Sequence, residues 1–224
     1  MAKVHPNGSH SRSRISSSSP SAVAGGGGDV EEAAVVLTVW KKSLLFNCSG
    51  FTVFDSKGNL VYRVDNYAAG SKKEILLMDA SGLPLLTLRR KKLSLGENWV
   101  VYAGESAGRK YNPPVFSARK QVSLVNSKCL AHITAAAGAA SFEVEGSYGQ
   151  RRCVVYDQQQ RRVAAEIKRK EAPVGGVDFG VDVFRLVVQP GVDPAFGMAV
   201  VILLDQMFPS NTSAAKTLRR RFSF

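Results

Sequence analysis

The segment from Asp193 to Met207 constrains the fold of this chain more than any other. Asp193-Pro194 is a strong helix start, because an Asp side chain accepts from free backbone N–H groups and Pro fits the first helical position. Pro209 stands where such a helix has to stop. Between these signals, residues 195–204 contain no polar side chain, and a helix that is apolar all round must be buried. Its roughly 14 residues rise about 21 Å, whereas a bilayer span needs about 20 apolar residues. A protein interior is therefore the expected environment, with no transmembrane span.

The chain ahead of this helix reads as strands. Residues 1–34 are Ser- and Gly-rich, with little to bury, and are expected to be a disordered tail. From Val35 onward, short runs rich in Val, Leu, Phe and Tyr alternate with Gly, Asn, Asp and Ser. About twelve such runs are predicted by that rule, at 35–40, 51–55, 60–65, 75–79, 84–91, 99–103, 115–121, 130–134, 141–145, 153–157, 162–170 and 179–189. Residues 35–209 thus form the folded domain, a strand shell around a helical plug, and 210–224 form a basic flexible tail. Runs such as 75–78 are continuously apolar, which predicts packing on both sides or a place in a barrel interior. The small-residue stretch 135–140 reads as a turn.

Three segments share one frame, strand then Asp-led turn then strand, beginning at Asp55, Asp79 and Asp157. Asp bonds the backbone of a tight turn, and Gly58 and Gly82 supply a positive φ; the third copy lacks the Gly. Turn chemistry accounts for the spacing of these carboxylates better than catalysis does.

Lys and Arg number 30 against 18 Asp and Glu. Removing both tails leaves 23 basic and 15 acidic residues on 37–208, so the folded part is itself basic. Such a surface favours anionic partners. Cys48, Cys129 and Cys153 are widely spaced, beside apolar residues, without a Cys-x-x-Cys pair. That pattern predicts buried thiols in a reducing compartment. With no charged-then-apolar leader, the expected location is intracellular, in cytoplasm or nucleus, with peripheral membrane contact.

Leu37-Thr38-Val39-Trp40-Lys41-Lys42, Gly50-Phe51-Thr52-Val53-Phe54-Asp55 and Leu203-Leu204-Asp205-Gln206-Met207, with 62–67, 76–82, 98–102, 163–170 and 179–184 in the same order, resemble the plant LURP-one-related family. Its domain has the Tubby C-terminal-like fold. The resemblance implies a mainly β protein, a closed antiparallel barrel of about twelve strands enclosing one hydrophobic C-terminal helix. Distant relatives by fold are phospholipid scramblases and tubby proteins, which bind phosphatidylinositol 4,5-bisphosphate and act as membrane-tethered regulators of transcription. Family members are associated with plant defence. The Gln158-Gln159-Gln160 turn and the Ala/Gly stretch near Ala137 depart from the pattern.

No catalytic constellation is legible. His5 and His10 lie in the tail, and His132 sits alone in a strand pattern, the usual setting of a structural histidine. His-Glu-x-x-His and phosphate-cradling Gly loops are missing from the sequence. Gly104-Glu105-Ser106-Ala107-Gly108, which has the letters Gly-x-Ser-x-Gly, falls in a polar, Gly-bearing loop and not at a strand-to-helix elbow, so an enzyme is not expected. No metal or cofactor is expected either. Asp178 and Asp182 are placed two strand repeats apart, facing out if Val181, Val183 and Val187 face in.

The basic runs are the candidate site: Arg89, Arg90, Lys91 and Lys92 at the end of one strand, and Lys168, Arg169 and Lys170 at the end of another. Alternation turns Arg89 and Lys91 outward, and Lys168 and Lys170 outward with Glu166, while Leu86, Leu88, Ala165 and Ile167 face in. If the two strands are neighbours, the runs form a patch suited to inositol phosphates. Four cations at an anionic leaflet contribute about 4 kcal/mol, a dissociation constant of about 1 mM. Such a surface needs a headgroup pocket or a second signal. The bland alternative is solvated strand ends that discourage edge pairing. The C-terminal Arg219-Arg220-Arg221-Phe222 could add membrane contact. The leading expectation is a non-enzymatic module binding a phosphoinositide membrane or a protein partner. Direct nucleic-acid contact has no recognition helix or stacking platform to support it, and scramblase-like lipid handling would require the helix to leave the barrel.

Overall fold

Alternating burial sets the strands, and the turns between them set their order. The computed structural model describes residues 33–45, 48–66, 74–91, 96–105, 113–121, 128–138, 140–171 and 179–209. Apart from residues 33 and 34, both expected tails lie outside that set. Among the described residues the strands are β1 (Val35–Trp40), β2 (Ser49–Phe54), β3 (Leu60–Asn66), β4 (Glu74–Asp79), β5 (Pro84–Arg90), β6 (Asn98–Ala103), β7 (Phe116–Lys120), β8 (Cys129–Ala135), β9 (Ser141–Ser147), β10 (Arg152–Asp157), β11 (Arg162–Arg169) and β12 (Val183–Val188), followed by helix α1 (Pro194–Met207). Each strand pairs antiparallel with the next, and β1 pairs with β12 to close the barrel. The expected mainly β, helix-containing closed barrel is what forms.

The helix begins and ends as its sequence predicts. Asp193 accepts from the Ala195 N–H at 2.8 Å, Pro194 opens the first turn, and Phe208 N–H closes on the Leu204 carbonyl at 2.8 Å. Residues 198–204 are almost completely shielded, and they meet inward side chains such as Leu37, Val39, Leu77, Leu88, Ile133, Ile167 and Leu186. Gly197 permits close approach to β12, where a Cβ would stand 2.9 Å from the Val188 Cγ2. Phe196 packs against Phe116 and Phe142, with ring centroids 5.2 and 4.8 Å away.

Because the strands simply alternate direction, all odd-numbered strands end at one rim, termed upper, and the helix C-terminus emerges there. The three Asp-led turns lie at the lower rim. Asp55 accepts from the N–H groups of Lys57 and Asn59, Asp79 from that of Leu83, and Asp157 from that of Gln159. Gly58 and Gly82 adopt positive φ, and in the third turn Arg161 does so instead. At the upper rim, Lys41 Nζ bonds Asp205 of the helix at 2.6 Å, and Lys120 Nζ donates to the Met207 carbonyl. These two cations face the negative end of the helix dipole. Arg151, only 2% exposed, lies between the rings of Tyr148 and Phe184 and donates to the carbonyls of Val181 and Tyr148.

Expectations for the last strand, for residues 75–78 and for the thiols need correction. The last strand starts at Val183, not at 179, because Gly180 takes a positive φ and residues 180–182 turn. Its inward residues are Phe184, Leu186 and Val188; Val187 faces out, Val181 lies in the exposed turn with Asp182, and Asp178 is outside the described residues. The strand's outward positions Val183 and Val187 are apolar too, on either side of Arg185, and the bulkier set fills the interior. Residues 75–78 alternate, with Ile75 and Leu77 inside and Leu76 and Met78 half-buried. Among the thiols only Cys153 is buried, while Cys48 and Cys129 are half-buried. Residues 136–138 form a single 3-10 turn in the small-residue stretch.

Burial pushes the Cys153 thiol up to about 12 from an ordinary value of 9.0, against a weaker pull from Arg151. The folded chain therefore keeps this proton where the unfolded chain has lost it. The associated stability is complete below about pH 9 and declines as pH rises toward about 12. Urea unfolding across that window should show Cys153→Ala with a shallower alkaline decline than the native chain. Parallel profiles would contradict the assignment.

Candidate anion-binding face

On β10, Cys153 and Val155 face in, so Arg152 faces out. On β11, Ile167 faces in and Lys168 out, and on β12 Phe184 and Leu186 face in and Arg185 out. The strand registers then align the three cations. Arg152 is the cross-strand partner of Lys168, and Lys168 is the partner of Arg185. Like charges directly opposite one another on a sheet face destabilise pairing, so this row does not help the barrel fold. Lys168 is relieved by Glu166 at 2.9 Å, whereas Arg152 and Arg185 make no ion pair among the described residues. The row crosses an open groove of about 640 Å³ that also receives Lys128, Arg169 and the carboxylates Glu145, Glu166 and Glu171. Five cations against three carboxylates leave the groove positive.

Large apolar groups are exposed near the same rim. Trp40, at the upper end of β1, pairs with Val183 and is 38% exposed, with Lys42 over its ring at 4.9 Å. Phe179 and Val181 are exposed just ahead of β12, and Lys170 sits over the Phe179 ring at 5.0 Å. Leu44 is exposed just beyond β1.

The fold separates the two basic runs foreseen in the sequence. In the closed ring β5 and β11 are six strands apart in either direction, so the runs end at the same rim on opposite sides. Arg89 pairs with Glu74 at 3.1 Å, and Arg90 pairs with Glu97, which Lys120 also approaches. Lys91 lines a separate cavity of about 350 Å³ with Arg119 and His132, and Lys92 lies outside the described residues. Of the second run, Lys168 and Arg169 line the positive groove, while Lys170 turns to Phe179. Sequence reasoning misses Arg152 because it lies just ahead of the predicted run 153–157, and Arg185 because it is a lone cation among the apolar residues of the last strand.

Spacing along the chain offers no metal-ligand cluster, yet folding brings ligand atoms of Cys129, His132 and Glu143 within 4.8 Å of one another. Among the described residues no helix is long and apolar enough to cross a membrane.

The sequence model of the LURP-one-related family matches residues 35–205, which is the barrel and nearly all of its helix. This chain belongs to the LURP-one-related family. Protein LURP-one-related 8 of Arabidopsis thaliana is 54% identical over 182 residues, covering 80% of this chain and 90% of the relative. Protein LURP-one-related 17 of the same plant is 43% identical over 186 residues, covering 79% and 84%. A crystal structure of an Arabidopsis thaliana protein superposes with a TM-score of 0.56 at 24% identity, over 78% of this chain and 91% of that one. That likeness supports the fold of the LURP-one-related domain alone.

Proposed function

We propose that this LURP-one-related domain is a non-enzymatic binding module for anionic phospholipid surfaces, phosphoinositides above all, and serves as a membrane-tethered regulator in plant defence signalling. The observation that carries the reading is the register of Arg152, Lys168 and Arg185, three like charges held side by side at a cost to strand pairing. A ligand with several phosphate oxygens offsets that cost. The exposed Trp40 and Phe179 beside the cationic rim supply the apolar second signal that charge alone lacks. The defence and regulatory roles rest on the family resemblance.

The test is flotation of the full chain with phosphatidylcholine vesicles, alone or with phosphatidylinositol 4,5-bisphosphate. At about 1 kcal/mol per cation, the triple variant Arg152→Ala, Lys168→Ala, Arg185→Ala should weaken binding to the phosphoinositide vesicles by about 100-fold. Native binding should weaken with salt. Equal binding to neutral vesicles, or a triple variant that binds as the native chain does, would sink the lipid reading. An acidic protein partner is the second reading, favoured by the division of the basic runs between opposite sides of the rim.

A further inference from the structure

The outer faces of β8 and β9 carry a feature that the anion-binding face does not use. His132 on β8 is the cross-strand partner of Glu143 on β9, and both face outward. Simple alternation would turn Cys129, three residues before His132, to the opposite side. A register shift between Cys129 and Ala131 prevents this by pairing Cys129 with Glu145, on the same face as Glu143. Bulges of this kind re-aim side chains. Here the bulge brings Cys129 Sγ to 3.5 Å from His132 Nε2, and a carboxylate oxygen of Glu143 completes a cluster whose atoms all lie within 4.8 Å of one another.

We propose that Cys129, His132 and Glu143 form a binding site for a divalent transition-metal cation, Zn²⁺ by its donor set. Thiolate, imidazole and carboxylate are the donors that zinc takes from proteins. Zinc–sulfur and zinc–nitrogen bonds of about 2.3 and 2.0–2.1 Å, set at a tetrahedral angle, place S and N about 3.6 Å apart. The observed 3.5 Å already matches that edge. All three groups are half-buried, so they are sheltered yet reachable. Gln158 Nε2 donates to Glu143 Oε2 at 3.2 Å, an outer contact of the sort that orients a ligating carboxylate. His132 borders the cavity with Lys91 and Arg119, and Glu143 borders one of about 270 Å³ with Glu145 and Gln158, so solvent can fill a fourth position.

The surrounding charges are mixed. Glu145 is the cross-strand partner of Cys129, while Arg119 opposes His132 from β7 and Arg161 lies near Glu143. A nucleophilic Cys–His pair fits this arrangement poorly. The carboxylate bonds the thiol itself, and burial together with Glu143 pushes the thiol up to about 12, which opposes a reactive thiolate. A cation bound between the three groups replaces the thiol proton and neutralises the carboxylate together. The bound ion would clasp β8 to β9 where the bulge interrupts their ladder.

Titration of the reduced, chelator-treated full chain with Co²⁺, a spectroscopic stand-in for Zn²⁺, tests the site. The expected result is one equivalent bound, with a sulfur-to-cobalt charge-transfer band that disappears on adding Zn²⁺. The band should be lost in Cys129→Ser and in His132→Gln, and Gln158→Ala should weaken binding about tenfold. His5 and His10 cannot supply that band, so binding by the tail is distinguished. No sulfur band in the native chain, or a band retained in Cys129→Ser, overturns the proposal. If Cys129→Ser does not fold by circular dichroism, retention of the band in His132→Gln overturns it instead. Vesicle binding by the positive groove is a separate readout and can fail without affecting this one.

Discussion

Phe184→Ala should destabilise the domain by about 3–5 kcal/mol, measured as a fall in the urea midpoint at unchanged slope. Phe184 is completely buried on the inward face of β12, and its ring supports the Arg151 guanidinium at 4.4 Å. Truncation removes the largest inward side chain of that strand and also half of the aromatic clamp around a buried cation. Arg151 would retain Tyr148 and its two carbonyl contacts but would border a void. Typical domains hold only about 5–15 kcal/mol in total, so such a loss is a large share. Phe184→Leu restores much of the volume and should cost clearly less. Equal losses for Leu and Ala would show that the space beside β12 collapses freely, against the packing described.

Gly146→Ala should cost about 3 kcal/mol, despite adding only one methyl group at an exposed position. Gly146 has a φ of 116°, a conformation that side chains resist, and a Cβ there would overlap the Arg152 carbonyl oxygen. The obstruction is backbone, so no rotamer change relieves it. β9 would have to separate from β10, carrying Arg152 out of its row. The variant should therefore lose thermal stability and vesicle binding together. Retention of both would place Gly146 in a more open turn than the one observed. Gly50 meets the Val64 carbonyl in the same way on the opposite side of the barrel.

The helix was legible because Asp193 and Pro194 announce its start and nothing polar interrupts residues 195–204. The strands were legible because each apolar run ends at a residue suited to a turn, as Asp55, Asp79 and Asp157 show. The start of β12 was not, since Phe179 and Val181 look like strand residues and only Gly180 breaks the extended backbone. The site was harder to read. Runs such as 89–92 and 168–170 stand out as strings of letters, but position around the ring decides which cations meet. That geometry divides the runs and brings Arg152 and Arg185 to either side of Lys168. Cys129 shows a second limit: its facing depends on one inserted residue in β8, and a strict period of two assigns it to the wrong side.

Joining β1 to β12 also governs when this molecule can assemble. The first strand finds its second neighbour only after the last strand exists, and Lys41 waits for Asp205, 164 residues further along. A nascent chain emerging from the ribosome therefore carries an unclosed sheet with an uncovered greasy lining until its final segment is made. Ring closure and insertion of the central rod are thus late events, and distant pairings of this kind slow folding. Shortened products ending before residue 194 would keep that lining open to water and to one another, and aggregation is their expected fate.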